Sequence, residues 1–477
     1  MPNQHAHQFY IDGAWQAPTV NKTQSVINPA TEDAIGDIAL GSAADVDLAV
    51  AAARRAFASF SQTSVDARLA LLRRIRALVE ERAERFAEAL TMEMGAASSF
   101  ARSTQVHFAV EHIRIAIEVL ETYPFLKMRG TTATVKEPIG VCALITPWNW
   151  PLYQITAKVA PAIAAGCTIV LKPSELSPYN ALLFAEVMHD AGLPPGVFNL
   201  VNGSGEEVGA PLSAHPEVDM ISMTGSTRAG VLVAQAAATT VKRVVQELGG
   251  KSPNIFLDDA DFATSVGKGV LAGMRNVGQS CSAPTRMLVP ASRLAEVEAL
   301  AVEAANAIQV GDPRDAATTM GPIANVAQYN RVQKMIGIGI DEGAKLICGG
   351  PGRPAHLNHG YFCRPTIFSE VRPDMTIARE EIFGPVLAII PYADEEEAIR
   401  IANDTVYGLG SHVQSADLER ARRVAAQIRA GQVHINSPTW DGHAAFGGYK
   451  QSGNGREYGT SGFEEYLETK EIIGYGA

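Results

Sequence analysis

Between residues 141 and 250, short β-branched or apolar runs recur at a steady interval, ending near Ile145, Leu171, Val201, Thr224 and Glu247. Each interval of roughly 23 to 30 residues leaves room for one crossover helix, which is what parallel strands require. The spacing predicts a parallel, doubly wound sheet. A helix starting at Pro151 shows the punctuation: Pro sits in the first turn, where no N–H bond is lost, and Gly166 is placed to end it. No tandem repeat accompanies the beat, so a solenoid is not implied. Beyond Gly250 a second alternation begins, with strands expected at 254–257, 286–289, 386–390 and 433–435. This reads as a second α/β domain, and 477 residues supply about three domains' worth of chain.

The first hundred residues read as mainly helical. Leu72, Ile75, Val79, Ala83, Phe86 and Leu90 form a one-sided apolar stripe suited to core packing. From Tyr123 to Ile139 the chain turns extended, with Thr131-Thr132-Ala133-Thr134-Val135 as a ribbon able to reach a partner subunit. Glu468 to Ile473 is expected to be a second arm, and Gly349-Gly350-Pro351-Gly352 and Gly447 to Gly455 are expected to be loops.

The composition, 47% hydrophobic, 19% charged and 7% aromatic, excludes disordered, collagen-like and coiled-coil chains. A formal charge of −11 repels phosphate backbones and anionic lipid, so nucleic acid and membranes are not expected partners. Five scattered cysteines (Cys142, Cys167, Cys281, Cys348, Cys363) form no CxxC pair and have no His at metal-ligand spacing, so no metal is expected and a reducing compartment fits. The segment from Met1 to Trp15 lacks the apolar core of a signal peptide, which suggests the cytoplasm. The apolar stretch Val159 to Leu171, broken by Pro161 and Gly166, is too short to span a bilayer.

In open parallel sheets, ligands bind beyond the carboxyl ends of the strands. Those positions are polar and Gly-rich here: Trp148-Asn149-Trp150-Pro151, Lys172-Pro173-Ser174-Glu175, Asn202-Gly203-Ser204-Gly205, Gly225-Ser226-Thr227 and Glu247-Leu248-Gly249-Gly250. Together they outline one crevice. Lys172 and Glu175 suit ribose hydroxyls, though the same turn also reads as a solvated loop. Gly225-Ser226-Thr227 offers free N–H groups and a positive helix end to a pyrophosphate, or is simply a capped helix start. The glycines of 203–209 do not match the dinucleotide fingerprint, since the third falls one residue late.

Cys281, in Gly278-Gln279-Ser280-Cys281-Ser282, sits in a small, polar setting that leaves a thiol accessible, and is the best nucleophile candidate beside an inert reading. Cys142 and Cys167 read as buried hydrophobes, and Cys348 and Cys363 stand out in no way. No His lies near Cys281 in sequence. Glu247, at a strand end before two glycines, is either a desolvated base or a surface acid at a turn.

Several motifs in order resemble the NAD(P)-dependent aldehyde dehydrogenase superfamily along nearly the whole chain. They are Thr146-Pro-Trp-Asn149-Trp-Pro151, Leu171-Lys-Pro-Ser-Glu175, Thr224-Gly-Ser-Thr227, Glu247-Leu-Gly-Gly-Lys-Ser252, Gly278-Gln-Ser-Cys281, Glu381-Ile-Phe-Gly-Pro385, Asn403-Asp-Thr-Val-Tyr-Gly-Leu409 and Phe446-Gly-Gly-Tyr-Lys-Gln-Ser-Gly-Asn-Gly-Arg-Glu457. The resemblance implies a Rossmann-like, doubly wound nucleotide-binding domain, an α/β catalytic domain and a small β oligomerisation element. The corresponding division is 1–122 with 141–249, then 250–437, arms at 123–140 and 460–477, and a loop at 438–459 returning to the active site.

Carried over by the same resemblance, Cys281 is the nucleophile, Glu247 the base that activates water, and Asn149 an oxyanion donor. Lys158 and Glu457 match a proposed proton relay. The cofactor is NAD, with NADP as a second option. Lys172 and Glu175 fall at the adenine ribose, Ser226 at the pyrophosphate, and Glu381 and Phe383 at the nicotinamide end, with Ser174 also among the cofactor-binding residues. Ile145, Thr146, Pro147, Trp148, Gly205, Gly209, Gly225, Leu248, Gly249 and Gln328 complete the slot. Glu175 would oppose a 2′-phosphate, which favours NAD.

The implied aldehyde tunnel is lined by Trp150, Tyr153, Gln154, Ala157, Ser280, Ser282, Trp440 and Phe446. These walls suit an aromatic or medium-chain aldehyde, and no Arg stands among them to hold a substrate carboxylate. Met223 replaces a usual Phe, and Ala445 a frequent Pro, away from the reacting atoms. Release of the thioester to coenzyme A is the rival chemistry, disfavoured by Glu247; a silent scaffold is the rival class, disfavoured by retention of Cys281, Glu247 and Asn149 together. The unpaired arms imply a homodimer or homotetramer.

Overall fold

The structure of the protein, a computed structural model, describes residues 3–476; residues 1, 2 and 477, at the outer ends of the expected N-terminal segment and C-terminal arm, lie outside the described residues. The five runs of the central beat are parallel strands, in spatial order Arg243–Glu247, Met220–Thr224, Val141–Ile145, Thr168–Lys172 and Phe198–Leu200. The chain steps outward from Val141–Ile145 through two strands and then returns to its other side. Strand order therefore reverses between Val141–Ile145 and Met220–Thr224, which opens a crevice at their carboxyl ends. The helix Pro151–Ala165 begins on Pro151 and ends at Gly166, whose φ of +95° is a left-handed conformation glycine adopts without strain. That helix is buried almost all round, between the sheet and the helix His107–Thr122.

The N-terminal segment departs from the helical expectation. Phe9–Ile11, Ala14–Gln16, Thr23–Ile27 and Ala34–Ala39 are strands, and helix begins only at Ala43. These strands are too short to show alternation. Phe9–Ile11 is held by its pairing with a distant partner, Tyr10 opposite Leu200. The stripe from Leu72 to Leu90 is core as expected, carried by Val65–Glu81 and Ala83–Met94.

A second sheet of seven strands runs Lys345–Cys348, Thr366–Ser369, Val386–Tyr392, Arg286–Pro290, Pro253–Phe256, Gly410–Gln414 and Gln432–Ile435. Four match the expected runs to within two residues. Lys345–Cys348, Thr366–Ser369 and Gly410–Gln414 carry too few consecutive apolar residues to be read locally. Arg286 is fully buried at the base of this sheet and donates to the carbonyls of Lys251, Ile401 and Ala402 at 2.8, 2.9 and 2.9 Å. The Gly-rich run at 447–455 is not loop throughout, since Gly453–Asn454 adds an antiparallel pair against Gln246 and Glu247 of the first sheet. The two extended arms pair with each other: Leu467–Ile472, Thr132–Pro138 and Leu126–Arg129 form a three-stranded sheet bearing exposed Leu126, Met128 and Ile472. Among the described residues, no helix is long and apolar enough to cross a membrane.

Candidate active site

The turn after Val141–Ile145 and the start of Pro151–Ala165 bring Asn149, Trp150, Tyr153 and Gln154 to one end of the crevice. Asn149 is buried, and its side-chain amide donates to the carbonyl of Gln279 at 3.0 Å. Across from it, the helix Phe262–Met274 breaks into a tight turn before Cys281. Asn276 and Val277 hold φ of +54° and +60°, and Gly278 follows at +69°. Left-handed backbone at a β-branched residue is rare, and such residues cost about 1–3 kcal/mol each, so the surroundings must enforce it. They do: Asn276 Nδ2 donates to the carbonyls of Asn149 and Gln279 at 2.8 and 3.2 Å, Gln105 donates to Asn276 Oδ1 at 3.1 Å, and Ala324 N–H to Gln279 Oε1 at 3.0 Å. Gly250 is required on the other side, because a Cβ there would lie 2.2 Å from the Cys281 carbonyl oxygen.

Cys281 is half-buried and lines a cavity of about 450 Å³. Its backbone N–H has no partner among the described residues. Burial pushes the thiol above its ordinary range, with the carboxylates of Glu247 and Glu381 adding to the effect. The reactive thiolate therefore needs a base or a nearby positive charge to form. Cys142, Cys167 and Cys363 are buried away from it.

Trp150, Tyr153, Gln154, Ser280, Ser282, Trp440 and Phe446 line this cavity with Cys281, as expected, and Ala157 does not. Ala157 is buried, and its single methyl group does not reach the wall. Trp150 Nε1 donates to Ser280 Oγ at 2.9 Å, and Phe108 stacks on Trp440 at 4.7 Å between ring centres. No Arg stood among the expected lining positions, but Arg275 lies on the cavity wall, beside the rings of Phe100 and Phe108 at 5.8 and 5.7 Å. Sequence reading also missed Phe108, Tyr458 and the stacked pair His412 and His434. Only the place of Arg275, six residues before Cys281, was a usable signal.

Glu247 is not on the cavity wall. It is buried, neither carboxylate oxygen has a hydrogen-bond partner, and a Cβ on Gly447 would lie 2.7 Å from Oε1. Burial raises its pKa well above the carboxylate range, Glu457 adds to this, and Lys158 opposes it. Lys158 and Glu457 form a buried ion pair, with Lys158 Nζ also donating to Ser222 Oγ at 3.1 Å. The returning loop brings Glu457 there through the bridge between Phe446 and Glu457.

The crevice gathers most of the remaining expected residues. Ile145 ends its strand, followed by Thr146, Pro147 and Trp148; Thr146 Oγ1 is buried without a partner. Lys172 Nζ reaches the Pro173 carbonyl at 2.8 Å and Glu175 at 3.3 Å, while Ser174 Oγ accepts from Leu176 N–H. Ser226 caps the helix Thr227–Ala237, accepting from Ala229 N–H at 3.2 Å, which supports both readings of that turn. Gly205 has open space where a Cβ would stand, Gly209 lies beside the Lys172 stem, and Gly225 lies against Met223. The Leu248 N–H is held by the Ser452 carbonyl at 3.0 Å. Glu381 accepts from Gly250 N–H at 2.9 Å and presses on Gly249, where a Cβ would meet it at 2.6 Å. Burial lifts its pKa to about 7. Phe383 meets Trp148 edge-on at 5.5 Å. Gln328 uses its amide nitrogen on the carbonyls of Ile382 and Phe383, at 2.9 and 2.8 Å, so it braces the turn that carries Phe383. An unpartnered hydroxyl, a free helix N-terminus, an acid and a base at ribose spacing and glycines that leave room fit a dinucleotide.

A dinucleotide crevice at the carboxyl ends of a doubly wound sheet, with a cavity carrying a half-buried cysteine, suits a nucleotide-dependent oxidoreductase. The chain belongs to the aldehyde dehydrogenase family, whose model matches residues 15–472. It is 58% identical over 469 residues to a 3-succinoylsemialdehyde-pyridine dehydrogenase of a Pseudomonas species, covering 98% of each chain. The crystal structure of aldehyde dehydrogenase C of Pseudomonas syringae, a cysteine-to-alanine mutant in complex with NAD+ and octanal, is 66% identical with a TM-score of 0.99, covering 99% of this chain and 98% of that one. An aldehyde dehydrogenase structure from Bartonella henselae is 45% identical with a TM-score of 0.96, covering 98% and 99%.

Proposed function

We propose that this enzyme oxidises an aromatic or medium-chain aldehyde to the carboxylic acid with NAD, through a thioester on Cys281 that water releases. One observation carries the reading: Cys281 lines the cavity two residues beyond Gln279, whose carbonyl accepts from the Asn149 amide. The Cys281 thiolate adds to the aldehyde carbon. An amide nitrogen has two protons, and Gln279 takes one of those on Asn149. The other, with the unpartnered Cys281 N–H, is free to hold the oxyanion. NAD supplies the hydride acceptor. Glu247, its pKa raised by burial, takes a proton from water when it turns from Gly447 toward the thioester, and the Lys158 and Glu457 pair passes that proton outward.

Lys172 and Glu175 hold the adenine ribose, the Ser226 helix start the pyrophosphate, and Glu381 with Phe383 the nicotinamide end. Segments 1–122 and 141–249 act as the nucleotide-binding unit and 250–437 as the catalytic unit, and the pairing of Gly453–Asn454 on Glu247 supports a role for 438–459 in joining them. The exposed apolar residues of the three-stranded sheet support assembly into a homodimer or homotetramer through 123–140 and 460–477. Five free cysteines support a cytoplasmic place.

NADH absorbance with purified protein, NAD or NADP, and a panel of alkyl and aromatic aldehydes tests the reading. NAD-dependent turnover that needs no coenzyme A is expected. Acyl-CoA formation, or cofactor binding with silence across the panel, would overturn it.

A further inference from the structure

The cavity wall holds two hydroxyls that cannot satisfy each other. Tyr153 Oη and Tyr458 Oη lie 2.5 Å apart, and neither has another hydrogen-bond partner among the described residues. Two phenols bring two protons, and only one can sit between the two oxygens. The second proton has no acceptor among the described residues. Phe446 stacks on Tyr458 at 5.2 Å, and His112 packs on Tyr458 and Tyr153 at 4.3 and 4.5 Å between ring centres. His112 is buried and kept neutral, its pKa pushed down to about 3 by burial, and its Nε2 makes no hydrogen bond. Tyr458 is also held at φ +66° and ψ +155°, a region that residues other than glycine occupy only when their surroundings enforce it. A strained backbone thus holds a hydroxyl pair with one uncommitted proton on the cavity wall that also carries Cys281.

We propose that the Tyr153 and Tyr458 pair is a specificity determinant, donating a hydrogen bond to an acceptor oxygen, a ketone or ether, carried on the aldehyde's chain beyond the reacting carbon. The inference rests on the aldehyde oxidation proposed above and refines its substrate class. A plain alkyl chain offers the uncommitted proton no acceptor, whereas an oxo-substituted chain supplies one. Discrimination then comes from the penalty on the plain chain as much as from the bond gained.

The test compares kcat/KM for octanal, 4-oxooctanal and 5-oxooctanal in wild type, Tyr153→Phe, Tyr458→Phe and the double variant. Wild type is expected to prefer at least one oxo-aldehyde over octanal by about threefold to tenfold, a difference residing mainly in KM. The double variant should lose this preference, read as the ratio of kcat/KM for each oxo-aldehyde to that for octanal, with unchanged circular dichroism and NAD affinity showing that it folds. A preference absent from wild type, or kept by the double variant, would overturn the assignment while leaving aldehyde oxidation intact. Silence of wild type toward all three aldehydes would overturn both.

Discussion

Asn149 and Asn276 donate to one acceptor, the carbonyl of Gln279, at 3.0 and 3.2 Å. The two amides lock the turn before Cys281 onto the start of the Pro151–Ala165 helix, and the second amide proton of Asn149 has no partner among the described residues. Removing a preorganised oxyanion donor costs about 10²–10³ in rate. Asn149→Ala is expected to lose that much in kcat with its circular dichroism unchanged. Near-normal turnover would remove Asn149 from the mechanism.

Glu247 is buried without a hydrogen-bond partner among the described residues and lies against Gly447. If it serves thioester hydrolysis alone, Glu247→Gln should give a burst of about one NADH per active site followed by a steady rate slower by about 10²–10⁴. Rapid-mixing absorbance reads both phases. A uniformly slow reaction without a burst would place Glu247 before the thioester.

Glu381 titrates at about 7 because burial opposes its charge. Only the carboxylate can accept from two ribose hydroxyls. With Glu381 at the nicotinamide end, as proposed, a proton would compete with NAD below that pH, and affinity would rise as pH climbs through it. The Kd for NAD should be about tenfold weaker at pH 6 than at pH 8.5, and Glu381→Gln should flatten the profile. Calorimetric titration at the two pH values measures the difference directly.

Glu175 lies 3.3 Å from Lys172. Its charge would repel a 2′-phosphate, and Lys172 would attract one. Glu175→Gln should raise kcat/KM for NADP by about tenfold, roughly 1.4 kcal/mol, while weakening NAD modestly. Unchanged NADP kinetics would show that the 2′ position lies elsewhere.

Arg286 satisfies three buried carbonyls. Arg286→Met leaves all three without a donor, and the urea midpoint should fall by an amount equivalent to about 3–5 kcal/mol. A shift below 1 kcal/mol would mean that water replaces the guanidinium there.

Legibility in the sequence followed the range of the interaction that made each feature. Strands ending at Ile145, Lys172, Thr224 and Glu247 were readable because a buried parallel strand must be an apolar run whatever surrounds it. Asn149, Cys281, Glu247 and the crevice residues were reached because strand ends and a reactive thiol in a Gly-rich turn are local patterns, and ordered motifs then joined them. Phe9–Ile11 and Gly453–Asn454 were missed, since three- and two-residue strands exist only through a partner far away in the chain. Arg275, placed by the turn that follows its helix, and Tyr458, placed by the returning loop, were missed for the same reason.

The amino-acid order alone therefore pointed to the doubly wound architecture, the candidate reacting groups and the family, because these depend on periodicity and on chemically distinctive residues at short spacing. Tertiary structure decided which side chains wall the cavity, that Glu247 rests against Gly447, and that two tyrosines 305 residues apart meet hydroxyl to hydroxyl. Packing alone brings such groups together, and no local pattern records where a loop comes to lie once a core has closed around it.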